Sequence, residues 1–477
     1  MAKIDWKAEV EKRKDTILAD LQGLLQIPSV LDEAKATDEA PFGEEVKRAL
    51  DYMLELGQRD GFSTKNTGDV AGHLETGEGK GLIGVLGHVD VVPAGDGWSD
   101  DPFSGVVKDG RIYARGAIDD KGPTMAAYYG MKIVKELGLS LEKRVRLIIG
   151  TDEESDWRCV DHYFAVEEMP EMGFAPDADF PIIIAEKGIA DFDLVQDVKE
   201  TGDSHAPITL LSFVSGLRYN MVPDHAKAVL DIKDGHTEFI QMFEDFLDTQ
   251  DLQGKYYVES GYSIMELHGI SAHGSEPDKG KNAGLLLANF LSTLELDTRG
   301  AEYMKAAVNF FFGDSRGRAL GVAYQDDISG ELTINVGKMS YNEHEGGQFG
   351  ITMRYPVTFN QEEGKETIEK VCKESGFRLG QYSNSEPHHV PKDSPLIQTL
   401  QAVYEEQTGQ HAELLAIGGG TYARSLDSGV AFGALFPGRP DVAHQKDEYM
   451  ELEDLWQATA IYAQAIYELA REKNEHI

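Results

Sequence analysis

Three short, mostly apolar runs, at 82–86, 145–149 and 182–185, constrain this chain more than any other feature. A strand apolar at nearly every position has to be covered on both faces, which is the situation of a sheet layered between helices. Between the first two runs, Gly122-Pro123 opens a stretch to residue 137 in which Met125, Tyr128, Tyr129, Ile133, Val134 and Leu137 recur at helical spacing. Proline suits the first turn of such a helix. Strand and helix therefore alternate, and an α/β domain is expected. Val10, Ile17, Leu18, Leu21, Leu24 and Leu25 carry helical spacing ahead of it and predict an amphipathic cover.

From about residue 190 to 385 the texture changes to alternating strands at 208–214, 227–232, 256–267, 331–336 and 349–354, with helical patterns at 282–296 and 363–375. Two strand-helix-strand units of similar size account for this, an inserted α+β lid rather than more of the buried sheet. Apolar runs return at 431–436, and a terminal helix aligns Leu455, Tyr462, Ile466 and Leu469. The expected division is 1–189 and 386–477 for one domain in two parts and 190–385 for the lid. A length of 477 residues agrees, because a single core usually stops growing at roughly 250–300.

The net charge of −38 repels phosphate backbones and anionic lipid, so neither nucleic acid nor a membrane is an expected partner. Cys159 and Cys372 are too few for a disulfide framework, and no apolar run reaches the roughly 18 residues of a membrane span. A cytoplasmic protein is expected.

Histidines and acids gather at the margins of the buried runs. His88-Val89-Asp90 follows the 82–86 run, where open α/β sheets place ligand crevices, and Asp90 is two residues from His88, placed to hold its ring. Asp119 and Asp120 stand adjacent in RGAIDDKG, a repulsive pair that a cation would relieve. Glu153 and Glu154 follow the 145–149 run in TDEES, Asp177 lies in APDADFP, and His444 in AHQKDEY. Each string alone is also an ordinary solvated turn. Jointly, His88, Asp119, Glu154, Asp177 and His444 form a mixed nitrogen and oxygen set suited to zinc, with cobalt or manganese as substitutes, and to a two-metal site bridged by one carboxylate.

GHVDVVPAGDGW, YARGAIDDKGP, GTDEESDW, PDADFPIIIAEKG, NMVPD, GISAHGSEP and AHQKDEYM, in that order, resemble the co-catalytic zinc metallopeptidases that include aminoacylases, glutamate-releasing carboxypeptidases and dipeptidases, over essentially the whole chain. The likeness is to the PepV-type, carnosinase-like Xaa-His dipeptidase branch. It implies a catalytic domain with a mostly parallel central sheet flanked by helices, and a lid of two similar subdomains. It implies two Zn²⁺ per chain, one on His88 and Asp177, one on Glu154 and His444, with Asp119 bridging. Asp179, two residues from Asp177, is the other candidate at that position. By the same resemblance Asp90 orients His88, Glu153 is the general base, the 119–120 peptide is cis, and His273 in SAHG stabilises the developing oxyanion. Asn220, Arg354 and the backbone amides of Gly418 and Gly419 would hold the substrate.

The implied reaction is hydrolysis of a dipeptide with a free amino terminus, by a monomer whose large lid takes the place of a partner subunit. An amidohydrolase acting on N-acyl amino acids or tripeptides, and a non-catalytic binding member, are the alternatives.

Overall fold

The computed structural model describes residues 3–198, 206–233 and 236–471. They form two compact units: Met1–Ile184 with His389–Leu415 and Gly420–Ile477, and Ala185–His388 with Ala416–Gly419.

The first unit is built on a twisted sheet whose centre is the parallel set Arg144–Gly150, Leu82–His88, Met172–Ala175 and Gly429–Ala431. Antiparallel Ala71–Thr76 and Ser63–Thr67 extend one side, and Ile182–Glu186 joins Gly429–Ala431 antiparallel on the other. Every residue of Leu82–His88 is buried, as its composition demands. The helix Lys121–Glu136 makes the crossover from Leu82–His88 to Arg144–Gly150. It packs against the C-terminal helix Leu452–Ala470 so closely that a methyl group at Gly130 would lie 2.8 Å from the Ala463 nitrogen. The N-terminal cover divides into two helices, Trp6–Glu11 and Lys14–Leu25.

A buried polar relay crosses this sheet. Arg146 Nη1 donates to Tyr163 Oη at 3.2 Å, so the phenol proton points to His73 Nδ1, 2.7 Å away. Nδ1 must then be unprotonated, and burial together with the Arg146 charge holds the His73 pKa down at about 4. An unfolded histidine titrates near 6.5, so the unfolded chain binds more protons between these values, and the stability due to neutral His73 is lost as pH falls from about 6.5 towards 4. The parent is expected to lose on the order of 3 kcal/mol more than His73→Gln between pH 7 and pH 4. Urea denaturation at both pH values reads it; equal losses would exonerate His73.

The second unit is one antiparallel sheet of eight strands, in the order Gln253–Glu259, Tyr262–His268, His225–Ile232, Ile208–Ser215, Thr333–Asn342, Gly346–Tyr355, Gly188–Gln196 and Phe377–Ser385. Ala283–Leu291, Thr298–Phe311 and Gln361–Glu374 contribute to its apolar core through Leu287, Tyr303, Phe311 and Ile368. The two strand-helix-strand sets read from the sequence share this continuous sheet through the pairing of Ile208–Ser215 with Thr333–Asn342. The 256–267 stretch, read as one strand, is a hairpin: Ser260 and Gly261 have φ of 55° and 88°, the left-handed pair that a two-residue hairpin turn requires.

Cys159 and Cys372 are free, buried thiols. No helix among the described residues is long and apolar enough to cross a membrane.

Candidate functional site

All five proposed ligands belong to the first unit, and its topology explains how they meet. His88 ends its strand, Glu153 and Glu154 follow the end of Arg144–Gly150, and Asp177 follows Met172–Ala175, so four acidic or imidazole groups leave the same end of parallel strands. Asp119 precedes the helix Lys121–Glu136, and His444 lies in the loop before Tyr449–Glu451.

His88 is fully buried, with its Nδ1 3.1 Å from the main-chain carbonyl of Asp90 and 3.2 Å from Asp90 Oδ1. The proton on Nδ1 goes to that carbonyl, and the Asp90 carboxylate turns Oδ2 to the Glu154 N–H at 3.1 Å. This leaves Nε2 bare. It has no hydrogen-bond partner, yet Asp119 Oδ1 lies at 3.2 Å, Asp177 Oδ1 at 3.7 Å and Glu153 Oε2 at 3.9 Å. Beside it, His444 Nε2 reaches Asp119 Oδ2 at 2.9 Å and Glu154 Oε1 at 3.0 Å, so Asp119 turns one oxygen to each histidine. Donor atoms converge within 4.8 Å in three sets: His88 with Asp119 and Asp177; Asp119 with Glu154 and His444; and His88 with Glu153 and Glu154. Asp177 belongs to one of these sets and Asp179, exposed on a short strand, to none of them. The Asp119-Asp120 peptide is cis.

So many acids in one buried place distort each other's titration. Burial, then the Asp177 charge, pushes Glu153 and Asp120 well above the usual carboxyl range. Burial, helped by the Asp119 and Glu154 charges, takes Asp177 to about 6 against the pull of His88, and burial with the Asp119 charge raises Glu154 despite its bond to His444. Asp119 goes the other way: burial opposes ionisation, but His444 and His88 together hold it low. Bonds to Asp119 and Glu154 lift His444 to about 10, and His88 is raised because Asp177, Asp119 and Asp90 outweigh the cost of burying its charge. The cluster demands positive charge, supplied by protons or by metal cations. A bare, buried imidazole nitrogen facing three carboxylates fits the latter.

Two residues outside the sequence-derived set hold this cluster. Arg115 and Glu448 form a buried pair, Nη1 to Oε2 at 2.6 Å, with 2% and 0% of their side chains exposed. Glu448 Oε1 accepts the N–H groups of Ile118 and Asp119 at 3.0 and 3.2 Å, and Arg115 Nη2 donates to the carbonyls of His444 and Ala94, each at 3.2 Å. Both lie inside the quoted strings RGAIDDKG and AHQKDEYM; an arginine and an acid flanking proposed ligands were the available signal. Asp120 accepts from the His88 N–H at 3.2 Å and from Thr124 Oγ1 at 2.9 Å, so its role is to brace the backbone of His88.

His273, Asn220, Arg354, Gly418 and Gly419 all fall in the second unit, Gly418 and Gly419 among them although the sequence reading assigned 386–477 to the first. The exposed Asn220 accepts the Gly274 N–H through its carbonyl at 2.7 Å, and Met221 bridges His273. Arg354, on Gly346–Tyr355 opposite Thr333, lies near enough for its charge to lower the His273 pKa, after the larger effect of partial burial. A methyl group at Gly418 would lie 2.9 Å from Ser275 Cβ, so this close approach needs glycine.

Comparison with known proteins follows the same line. The description Peptidase family M20/M25/M40 matches residues 84–468. The chain is 55% identical over 468 residues, 98% of its length and 100% of the relative's, to "Putative dipeptidase YtjP" of Bacillus subtilis (strain 168). It is 48% identical over 467 residues, again 98% and 100%, to "Putative dipeptidase SH1171" of Staphylococcus haemolyticus. Among solved structures, aminoacylhistidine dipeptidase from Vibrio alginolyticus has the same fold with a TM-score of 0.56 at 14% identity, covering 95% of this chain and 97% of that one. Human carnosine dipeptidase 1 gives 0.54 at 14% identity, covering 97% and 98%. Matched by that description over most of its length and more than half identical to a relative along that relative's whole length, the chain is a member of peptidase family M20/M25/M40.

Proposed function

We propose that this peptidase is a dinuclear-zinc dipeptidase that cleaves dipeptides with a free amino terminus, including Xaa-His and carnosine-like substrates. What carries the reading is the bare Nε2 of buried His88 among three carboxylates, with His444 held between Asp119 and Glu154 beside it. His88 and Asp177 would hold one Zn²⁺, Glu154 and His444 the other, and Asp119, with one oxygen toward each histidine, would serve both. Mn²⁺ or Co²⁺ suits the same donors. Bound there, the cations would supply the Lewis acidity that activates water and polarises a peptide carbonyl.

The remaining steps belong to the chain's own groups. Glu153 takes a proton from the attacking water and returns it to the departing amine, which makes the leaving group neutral. Asp90, through its main-chain carbonyl, keeps the His88 Nδ1 proton fixed and Nε2 free. His273 donates to the carbonyl oxygen as negative charge builds on it. Asn220, Arg354 and the amides of Gly418 and Gly419 hold the dipeptide, Arg354 supplying the charge that a free carboxylate needs. The names of the relatives, two of them dipeptidases of histidine-containing substrates, support this substrate class. We read the working form as a cytoplasmic monomer.

The test is turnover of carnosine and Ala-His against N-acetyl and N-succinyl amino acids and tripeptides. Protein stripped with a chelator is expected to be inactive on all of them, and Zn²⁺, Mn²⁺ or Co²⁺ to restore dipeptide hydrolysis. Faster cleavage of the acylated amino acids would assign the amidohydrolase activity instead, and undiminished turnover by stripped protein would end the metal reading.

A further inference from the structure

The second unit contains a short-range arrangement around His273 that decides which of its ring nitrogens carries the proton. His273 Nδ1 accepts the backbone N–H of Ser275 at 3.2 Å, and Ser275 Oγ lies 2.7 Å from the same nitrogen. A backbone N–H only donates, so Nδ1 presents a lone pair, and the hydroxyl, free to rotate, adds its own proton to that side. In the neutral ring the single proton then resides on Nε2, the nitrogen facing away from the loop.

The loop that imposes this is itself held. The Gly274 N–H bonds to the Asn220 carbonyl at 2.7 Å, the Glu276 N–H to the His273 carbonyl at 3.0 Å, and Thr333 Oγ1 to the Ser275 carbonyl at 3.3 Å. Gly418 lies beside Ser275, so close that a methyl group there would come within 2.9 Å of Ser275 Cβ. Partial burial and the Arg354 charge act in the same direction by keeping the ring neutral.

We propose that Ser275 is a positioning residue that locks His273 as its Nε2–H form, so that the imidazole always presents a donor, and never a lone pair, to the substrate's carbonyl oxygen. This rests on the role given to His273 above. A histidine free to exchange tautomers would spend part of its time with a lone pair aimed at a developing negative charge, which repels rather than stabilises it. Ser275 removes that fraction.

The experiment uses the full metal-loaded chain labelled with ¹⁵N-histidine, with the His273 signals identified by their loss in His273→Gln. At pH 8 the parent is expected to show a protonated Nε2 and an unprotonated Nδ1 for His273. Ser275→Ala loses the 2.7 Å hydroxyl contact and keeps only the longer 3.2 Å bond from the backbone N–H, so the two shifts should move toward each other as the second tautomer is populated, and kcat should fall about tenfold, the scale of one lost hydrogen bond, with KM and metal content unchanged. Ser275→Thr, which keeps the hydroxyl, should restore both. A protonated Nδ1 in the parent, or unchanged shifts in folded Ser275→Ala, would overturn the proposal. The parent spectrum alone is decisive should the alanine variant not fold. Full turnover by His273→Gln alongside the Nε2–H signature would instead refute the role of His273 while leaving the tautomer assignment standing.

Discussion

Glu153→Ala is expected to retain the parent's metal content and affinity while kcat falls by about 10²–10⁴-fold, the range contributed by a positioned general base. Glu153 and Glu154 are neighbours in sequence, but the turn after Arg144–Gly150 treats them differently. Glu154 is tied at both ends, its N–H to Asp90 Oδ2 at 3.1 Å and its Oε1 to His444 at 3.0 Å. Glu153 is anchored by its carbonyl, which accepts Trp157 Nε1 at 2.6 Å, and its carboxyl lies 3.9 Å from His88 Nε2, farther than Asp119 or Asp177. A group so placed is near the proposed ligands without being one of the closest. Glu153 also joins His88 and Glu154 in one of the three donor sets, so the opposite result has a clear form. Isothermal titration of stripped Glu153→Ala with Zn²⁺ decides: parental stoichiometry with lost turnover supports the base, and loss of one equivalent makes Glu153 a ligand.

The second large effect is expected at a residue that touches neither metal nor substrate. Arg115→Met should destabilise the protein by about 3–5 kcal/mol, because it strands the buried Glu448 carboxylate without its partner. It also frees the carbonyls of His444 and Ala94 from the guanidinium, loosening the loop that delivers His444. Metal affinity should therefore weaken together with stability. Glu448→Gln is the informative companion: its amide oxygen can still accept the Ile118 and Asp119 N–H groups, while its NH2 then meets the buried Arg115 donor, so it should also destabilise strongly yet preserve more of the metal affinity than Arg115→Met. Urea midpoints at constant slope give the first quantity and Zn²⁺ titration the second. Equal, small effects from both variants would show that the pair does not hold the Asp119 turn to the His444 loop. Trp98, whose ring centre lies 5.2 Å from the Arg115 guanidinium carbon, supplies a fluorescence reporter close to the change.

Much of the first unit was readable because its signals are local. The mostly apolar runs at 82–86 and 145–149 became buried parallel strands, and Gly122-Pro123 stands in the first turn of the helix Lys121–Glu136. Other local signals went unused. Asp297 caps Thr298–Phe311 by accepting the Gly300 N–H, and Val46, Leu50 and Met53 repeat along Glu44–Arg59, two helices absent from the expectations above. The Ser260-Gly261 turn was likewise visible as a dipeptide, but the apolar and aromatic residues on either side of it masked the break.

What the sequence determined by itself was the inventory: short buried strands, the order of the chemical strings, and which residue types stand at the strand ends, since all of these depend on near neighbours along the chain. Only the tertiary structure decided which acids meet. It separated Asp177 from Asp179, turned the Asp90 carboxylate to Glu154 while its carbonyl holds His88, placed Gly418 beside Ser275, and joined Arg115 to Glu448 across 333 residues. Those outcomes turn on ångström distances between segments far apart in the chain, which are set when strands take their order in a sheet and side chains pack, and which no local pattern encodes.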